Sequence, residues 1–382
     1  MTAWADASIS VVIPTKNAGA EFGGTLAALR RQPRSLDIVV VDSGSSDETL
    51  DLARGHGARV ISIAPESFNH GETRNLGIRQ ATGQLCMMLV QDAVPSGESW
   101  LEEMLSPFAD ERVVGVTARQ VPRPDCDSMA QWQCDYRNCF LGEEERVQEL
   151  ESWEHFLTLG FQERLRLASF DNVFSVLRRS FWEQCPFRPL SFAEDLDWGV
   201  RAIAAGRRLV YKPSVCVMHS HTRPASYHLR RSYVSGRTVP QILHLPPVQT
   251  SARNDREFLG LIGFLCGEAR AIVSAEGDGS EFSRSYDVAQ SLPESLLAAL
   301  GRREIRPHYQ QNEVRENFYF VLEQLLGLKF TAVPRTEASS IVVKALAEAI
   351  GAFAAAYHNW CEAEGRVSDG MRHLSAALSK GV

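Results

Sequence analysis

The sequence predicts an α/β protein in which a mostly parallel central sheet is flanked by helices, with an α-helical region at the C-terminus. Through residues 8–120, short runs rich in Val, Ile and Leu alternate with segments whose apolar residues recur at helical spacing. Parallel neighbouring strands need a crossover connection, usually a helix, so this alternation predicts right-handed βαβ units. Polar side chains follow several of these runs directly, at the edge where open α/β sheets bind ligands.

The elements follow in a regular order. Strands are predicted at residues 8–14, 36–42, 59–63, 85–91 and 112–118, where β-branched or other apolar residues dominate. Helices are predicted at residues 19–31, 47–54, 71–80 and 99–108, with turn residues before the second and Gly83 after the third. Farther on, residues 168–179 alternate as a strand does, residues 192–205 form a helix that stops at Gly206, and residues 209–211 and 215–218 form short strands.

The central strand ends in a carboxylate. Six apolar residues, Leu85 to Val90, run without a polar break and are followed by Gln91-Asp92-Ala93. Such a run is typical of a strand buried on both faces. An oxygen ligand at its carboxyl end suits Mg²⁺ or Mn²⁺, and such a cation suits a diphosphate. The alternative is that Asp92 only caps the following turn.

Composition excludes several classes of protein. The 382 residues are 44% hydrophobic and 23% charged with a net charge of -7, which gives no electrostatic footprint for nucleic acid. The N-terminus lacks a charged region followed by an apolar one, so we expect no signal peptide, and no apolar run approaches a membrane span. Eight scattered cysteines with no CxxC pair indicate reduced thiols. We therefore expect a cytoplasmic protein with no nucleic-acid partner.

Polar residues also follow the first two strands. They are Thr15, Lys16 and Asn17 after the first strand, and Asp42 and Ser43 after the second. Asp42 is placed to accept hydrogen bonds from a ribose or a base edge, although Ser43-Gly44 behind it allows a simple turn or helix cap instead. Neither GxGxxG nor GxxxxGK precedes a helix, so a dinucleotide fold and a P-loop are not supported.

Five motifs in order carry a family resemblance: SVVIPTKN, IVVVDSGSSDET, FNHGETRNLG, LVQDA and AEDLDW. The sequence resembles glycosyltransferase family 2, which has the GT-A fold, across residues 8–240. Phe68-Asn69-His70-Gly71 with Arg74-Asn75 and Gln91-Asp92-Ala93 is similar to its bacterial rhamnosyltransferase branch. The resemblance implies a sugar–nucleotide donor, a divalent metal and inversion at the anomeric carbon. It favours dTDP-L-rhamnose as donor and a glycan or lipid-linked glycan as acceptor.

The resemblance also assigns residues. Those implied for the donor are Pro14, Thr15, Lys16, Asn17, Asp42, Ser43, His70, Arg74, Asn75, Gln91, Asp92, Arg223 and Arg231; those implied for the acceptor are Asn172, Ser175 and Trp198. Asp195 maps to the general base, with Glu194 orienting it or contacting the acceptor. Helix capping by these carboxylates is the alternative. Arg223 and Arg231 belong to a local basic patch that can stabilise a departing diphosphate, unless it is only a solvated helix face.

The chain departs from the family pattern at Gln91, where the usual metal motif has a first aspartate. A lone Asp92 needs another ligand, and His219 and His221 point the same way at a strand end. Imidazole is a common ligand of Mn²⁺, so we expect one of the two histidines, preferably His219, to complete the site. The alternative is that both are bonded to backbone carbonyls. Gln91 also favours a rival function, a non-catalytic nucleotide-sugar or glycan-binding module; a second rival is a family member using a UDP-hexose.

Three regions are predicted. Residues 1–120 form the donor-binding half, residues 121–250 the acceptor-binding half, and residues 251–382 an α-helical C-terminal region. Residues 120–170 are predicted to form a largely helical insert. In the C-terminal region, helices are expected at residues 258–262, 292–300, 314–326 and 341–360, with a break at residues 277–279. The Ala-rich C-terminal helices are expected to serve a homodimer or a membrane-associated partner. The protein would then be peripheral at the inner face of the membrane.

Overall fold

The computed structural model describes residues 4, 6–250, 252–263, 265 and 335–379. The chain divides into two compact units. The sheet unit comprises Met1–Pro124, Cys134–Ser220 and Ile242–His244, and the helical unit comprises Asp125–Gln133, His221–Gln241 and Leu245–Val382. The predicted donor and acceptor halves therefore fall largely in one unit. The helical unit also takes in Asp125–Gln133 and His221–Gln241, which lie ahead of residue 251, the predicted start of the C-terminal region.

One sheet organises the sheet unit. Its strands are β1 (Ile9–Thr15), β2 (Leu36–Asp42), β3 (Arg59–Ser62), β4 (Leu85–Leu89), β5 (Val94–Pro95), β6 (Val113–Val121), β7 (Arg146–Gln148), β8 (Phe174–Arg178) and β9 (Arg208–Met218). Their order is β3-β2-β1-β4-β8-β6-β9-β5, and β7 pairs with β9. Strands β1 to β4, β6 and β9 run in one direction, whereas β8, β5 and β7 oppose their neighbours. The predicted fold class, α/β with a mostly parallel sheet, is confirmed.

Helices complete the fold. They are α1 (Phe22–Arg30), α2 (Thr49–Gly55), α3 (His70–Gln80), α4 (Trp100–Leu105), α5 (Ser128–Leu141), α6 (Trp153–Thr158), α7 (Phe161–Ala168), α8 (Arg179–Trp182), α9 (Glu194–Ala204), α10 (Ala225–Ile242), α11 (Arg335–Ala363) and α12 (Asp369–Leu378). Short 3₁₀ turns lie at Pro65–Ser67 and Ser106–Ala109. Every side chain of β4 is buried, as its unbroken apolar run predicts. The carboxyl ends of β2, β1 and β4 consequently lie side by side at one edge.

Some elements differ from the sequence prediction. Residues 209–211 and 215–218 belong to one strand, β9, because its pairing with β6 shifts register between Ala118 and Arg119 and so accommodates Pro213, which has no N–H to donate. The region at residues 120–170 holds the expected helices α5 to α7, but also β7. The predictions for residues 277–279, 292–300 and 314–326 lie outside the described residues.

The helical unit contains α10, α11 and α12. Helices α10 and α11 pack closely where Gly351 faces the Leu229 carbonyl, since a Cβ on Gly351 would lie 2.3 Å from that oxygen. The Tyr233 hydroxyl and His358 Nδ1 lie 2.6 Å apart between the same helices. The expectation that no apolar run approaches a membrane span is wrong, because Ser340–Ala363 within α11 is long and apolar enough to cross a membrane, although 56% of its most apolar window is buried. Membrane association stays a prediction.

Candidate active site

Two adjacent carboxylates begin helix α9 and have different surroundings. Glu194 is buried, and its Oε1 accepts hydrogen bonds from Arg74 Nη1 at 2.7 Å and from Asn172 Nδ2 at 3.2 Å. Asp195 is only partly covered, and its carboxylate accepts the backbone N–H groups of Asn172 at 3.2 Å and of Leu196 at 2.8 Å. Glu194 is thus held in an internal ion pair, whereas Asp195 is only partly buried and its carboxylate is held in a fixed orientation by two backbone N–H groups.

The electrostatics of Asp195 suit proton transfer. Burial raises the pKa of the Asp195 carboxyl to about 7, with further raising contributions from Glu194 and Asp171 and an opposing one from Arg74. Removing a carboxylate from water and placing it beside like charges both disfavour its ionised form. A carboxyl that titrates near neutral pH is a far stronger base than an ordinary aspartate, so Asp195 can accept a proton from a substrate hydroxyl.

Helix α3 brings Arg74 to this position. Asn69 caps α3 through the N–H groups of Gly71 and Glu72, and its Nδ2 donates to the Leu190 carbonyl at 3.0 Å. A Cβ on Gly71 would lie 2.3 Å from the Arg188 carbonyl oxygen, so glycine permits this approach. The start of α3 therefore docks on the segment that leads into α9.

The structure corrects the direct donor contacts predicted for Arg74 and Asn75. Arg74 is 4% exposed and is directed at Glu194. Asn75 is 2% exposed, accepts from Trp182 Nε1 at 2.9 Å and Phe187 N–H at 3.1 Å, and donates to the Phe187 carbonyl at 2.8 Å. Both side chains are engaged by the protein itself. His70 is half-buried with its ring against Phe68, and its donor contact stays a prediction.

Asp42 is likewise engaged by its own loop. It is 1% exposed and accepts four hydrogen bonds, from Thr15 Oγ1, Ser45 Oγ and the N–H groups of Gly44 and Ser45. Burial alone would raise the pKa of Asp42, but these hydrogen bonds outweigh it and hold the pKa below its ordinary value. The turn-forming alternative therefore accounts for Asp42, and the predicted ribose or base contact is corrected because its oxygens are already occupied.

Gln91 braces a neighbouring loop. Its Oε1 accepts the Lys16 N–H at 2.8 Å and its Nε2 donates to the Lys16 carbonyl at 3.3 Å. Asn17 similarly joins the loops after β1 and β2, since its N–H donates to Ser45 Oγ at 2.8 Å and its Oδ1 accepts the Ser46 N–H at 2.8 Å. Each polar atom of the Gln91 amide thus makes one hydrogen bond to the Lys16 peptide, and its contact with the donor stays a prediction. Gln91 therefore holds the loop after β1 in place at the sheet edge where the donor is expected.

The remaining residues predicted to bind the donor differ in how far they are exposed to solvent. Thr15 and Ser43 are buried and bonded to each other's backbone, since the Ser43 N–H donates to the Thr15 carbonyl at 2.9 Å. Lys16 is exposed and Pro14 is half-buried, so both keep surface for a ligand. Arg223 and Arg231 are exposed residues of the helical unit, with Arg223 5.1 Å above the Tyr227 ring. Donor roles for these residues stay predictions.

Asp92 and His219 form the candidate metal site. A carboxylate oxygen of Asp92 lies 3.8 Å from His219 Nε2, too far for a hydrogen bond. Two ligands of one Mg²⁺ or Mn²⁺ ion, each about 2.1 Å from it, are at most about 4.2 Å apart, so this separation fits a shared ion. His221 is two residues farther along, and covalent geometry keeps its Cα within about 7 Å of that of His219. His219 Nδ1 faces Gln120 Oε1 at 3.1 Å.

The three residues predicted for the acceptor lie in the interior. Trp198 is fully buried against Phe170, Phe181 and Phe187, and its Nε1 donates to the Cys185 carbonyl, so the prediction of an acceptor-lining ring is wrong. Asn172 and Ser175 are also buried, and Ser175 Oγ donates to Asn172 Oδ1 at 3.3 Å. These two are corrected to positioning residues, since Asn172 donates to both Glu194 and Asp195.

Two residues near the site were missed by sequence reasoning. Asp171 contributes to the raised pKa of Asp195, and Gln120 bridges His219 and Asp171. Gln120 lies near the carboxyl end of β6, the position that singled out the other strand-end residues, but the predicted strand stopped at residue 118. A correct strand length would have identified it.

Comparisons with known proteins agree with the motifs. The family model described as "Glycosyl transferase family 2" matches residues 10–171. "O-antigen chain rhamnosyltransferase WbaN" of Salmonella anatum is 31% identical over 234 residues, covering 60% of this chain and 71% of its own. "O-antigen chain rhamnosyltransferase RfbN" of Salmonella typhimurium is 29% identical over 233 residues with the same shares. The solved mannosyltransferase PcManGT of Pyrobaculum calidifontis, in complex with GDP-Man and Mn²⁺, aligns at 18% identity and a TM-score of 0.49, covering 85% of this chain and 88% of its own.

Proposed function

Since the chain belongs to glycosyltransferase family 2, we propose that it is an inverting, metal-dependent rhamnosyltransferase that moves L-rhamnose from dTDP-L-rhamnose to a glycan acceptor in bacterial surface polysaccharide synthesis. The observation that carries the catalytic part is Asp195, a partly exposed carboxylate whose pKa is raised to about 7. The rhamnosyl donor rests on the names of the two Salmonella relatives and on the FNHG and QDA motifs.

Asp195 acts as the general base. The acceptor hydroxyl oxygen forms a bond to the anomeric carbon while its proton passes to an Asp195 oxygen. The bond between that carbon and the diphosphate oxygen breaks, and the electron pair leaves with the nucleoside diphosphate. Attack from the face opposite the leaving group inverts the configuration of the sugar.

The residues around Asp195 position and tune it. The Asn172 N–H holds Asp195, and the Asn172 amide donates to Glu194. The ion pair with Arg74 keeps Glu194 in place, and its negative charge helps to raise the pKa of Asp195. Arg74, Glu194 and Asn172 therefore act through Asp195 and need not touch the acceptor.

A divalent ion fits the donor set of Asp92 and His219, with His221 as the next candidate along the chain. When bound, such an ion would neutralise charge on the leaving diphosphate. The protein's own part is to hold an oxygen and a nitrogen ligand 3.8 Å apart at the sheet edge. Oxygen and imidazole ligands together suit Mn²⁺, and Mg²⁺ remains the alternative metal.

A thermal-shift screen with dTDP-L-rhamnose, UDP-glucose and UDP-galactose, each with and without Mn²⁺, tests the donor. We expect the largest metal-dependent increase in Tm with dTDP-L-rhamnose, since specific ligands stabilise the folded state. A larger increase with a UDP-hexose would reject the rhamnosyl assignment. Binding without transfer to any glycan acceptor would favour the non-catalytic module.

We also propose that the protein works in the cytoplasm at the inner face of the membrane, where a lipid-linked acceptor would lie. The apolar helix α11 is the candidate for contact with a second copy or a membrane-associated partner. Co-sedimentation with anionic vesicles tests the membrane contact, and recovery only in the supernatant would reject it.

A further inference from the structure

Two consecutive hydrogen bonds join His219 of the candidate metal site to the Asp171 carboxylate. His219 Nδ1 lies 3.1 Å from Gln120 Oε1, and Gln120 Nε2 donates to Asp171 Oδ2 at 2.9 Å. All three residues belong to the sheet unit. Gln120, which links His219 to Asp171, has a role that differs from those already given to Asp92, His219 and Asp195.

The protonation state of Asp171 determines which group donates in each of these two hydrogen bonds. An ionised Asp171 only accepts, and Asp171 forms an ion pair with Arg137. The Gln120 atom next to Asp171 must therefore be the amide nitrogen, which places the amide oxygen next to His219. An amide oxygen only accepts, so His219 Nδ1 must carry the proton. In neutral imidazole the other nitrogen, Nε2, then has a lone pair.

That lone pair faces the metal-binding side. Nε2 is the His219 atom that lies 3.8 Å from Asp92. The backbone holds Gln120 and His219 in place, because Asn138 Nδ2 donates to the Gln120 carbonyl at 2.8 Å and the His219 N–H donates to the Val121 carbonyl at 2.9 Å. Histidine ligands of metals commonly donate their second ring N–H to a fixed acceptor, which orients the ring and sets the tautomer.

We propose that Gln120 is a positioning residue that fixes His219 in the Nδ1–H tautomer, with Nε2 directed at a divalent cation shared with Asp92. The inference rests on the proposed function only in that a divalent cation is held there. Gln120 is polarised by Asp171 and Arg137, so it acts as a one-way acceptor for His219. An asparagine would be one methylene too short to span both partners.

The first test needs no metal. The metal-free protein, labelled with ¹⁵N-histidine and held at about pH 8.5, about two units above the ordinary pKa of imidazole, gives the tautomer by NMR, with His219→Ala assigning the signal. We expect a protonated Nδ1 in the wild type, in Gln120→Glu, which keeps an acceptor, and in the control Gln148→Met. Gln120→Met should give mixed tautomers. A protonated Nε2 in the wild type, or an unchanged Nδ1–H in Gln120→Met, would overturn the proposal.

The second test is calorimetric titration of Mn²⁺ with dTDP present. Gln120→Met should bind Mn²⁺ about 10–100-fold more weakly, the usual cost of losing such a partner. Gln148→Met is the control, because Gln148 is also a glutamine of the sheet unit and its amide is bonded within the protein, to the Leu167 and Ser169 carbonyls. It should bind as wild type does, and equal weakening in both variants would reduce Gln120 to a structural residue. Absence of rhamnosyl transfer would defeat the proposed function while leaving both readouts for Gln120 intact.

Discussion

Asp195→Asn removes the proposed base while keeping shape and hydrogen bonding. Because the Asp195 pKa is about 7, about half of the carboxyls are ionised at pH 7 and about one-tenth at pH 6. The wild-type kcat/KM should therefore rise about tenfold per pH unit below pH 7 and level off above it. Asp195→Asn should lower turnover by about 10²–10⁴-fold and abolish this dependence.

The assay is the initial rate of transfer between about pH 5.5 and 8.5 with saturating Mn²⁺, because protonation of a histidine ligand also weakens metal binding. Calorimetry on Asp195→Asn should show unchanged Mn²⁺-dependent nucleotide binding. A variant within a few-fold of the wild-type rate, or one that retains the pH dependence, would refute the assignment and move attention to Glu194.

The raised pKa of Asp195 also lowers the stability of the folded protein as pH rises, whereas a salt-bridged aspartate raises it. Folded Asp195 keeps its proton to about pH 7, whereas the unfolded chain releases it near 3.8, so the folded state is progressively penalised as pH rises between these values. Asp195→Asn should therefore raise Tm more at pH 8 than at pH 4. An equal change at both pH values would contradict the raised pKa.

Three further substitutions test other parts of the account. Asp92→Ala should abolish the gain in nucleotide affinity that Mn²⁺ gives; unchanged metal-enhanced binding by calorimetry would reject the ligand. Arg74→Met leaves Glu194 buried without its partner and should lower the free energy of unfolding, measured in urea, by about 3–5 kcal/mol. The control is Arg79→Met, which removes the exposed Arg79–Glu72 pair on the same helix and should cost at most about 1 kcal/mol. Equal losses in the two variants would reject the stabilising role of the buried pair. Gln91→Leu should cost about 1–2 kcal/mol through the lost Lys16 contacts and leave Mn²⁺ affinity unchanged; a weaker Mn²⁺ affinity would make Gln91 a ligand.

The sequence predicted the sheet well because its strands are marked by composition. The run at residues 36–42 became β2 with the same bounds, and the unbroken apolar run became the fully buried β4. The head of α9 was also predicted, since three carboxylates before a helical apolar pattern mark a helix start. These features are local, and local chemistry specifies them.

The partners of the polar residues could not be predicted in the same way. Arg74 meets Glu194 across 120 positions of sequence, and Asn75 meets Phe187 across 112, so their burial depends on the docking of α3 before α9. Asp42 is near Gly44 and Ser45 in sequence, but the bonds it accepts from them depend on the loop conformation around Gly44, where φ is +89°. The residue types of Arg74, Asn75 and Asp42 suggested contacts with a ligand, whereas in the folded protein their polar atoms bond to other parts of the protein.

The central claim is tested most directly by the stereochemistry of transfer. The measurement is NMR of the product formed from dTDP-L-rhamnose, Mn²⁺ and a lipid-linked glycan acceptor by the wild type and by Asp195→Asn. The account predicts a rhamnoside whose anomeric configuration is opposite to that of the donor, formed by the wild type and nearly absent with the variant. A product with retained configuration, or equal product from both proteins, would contradict it.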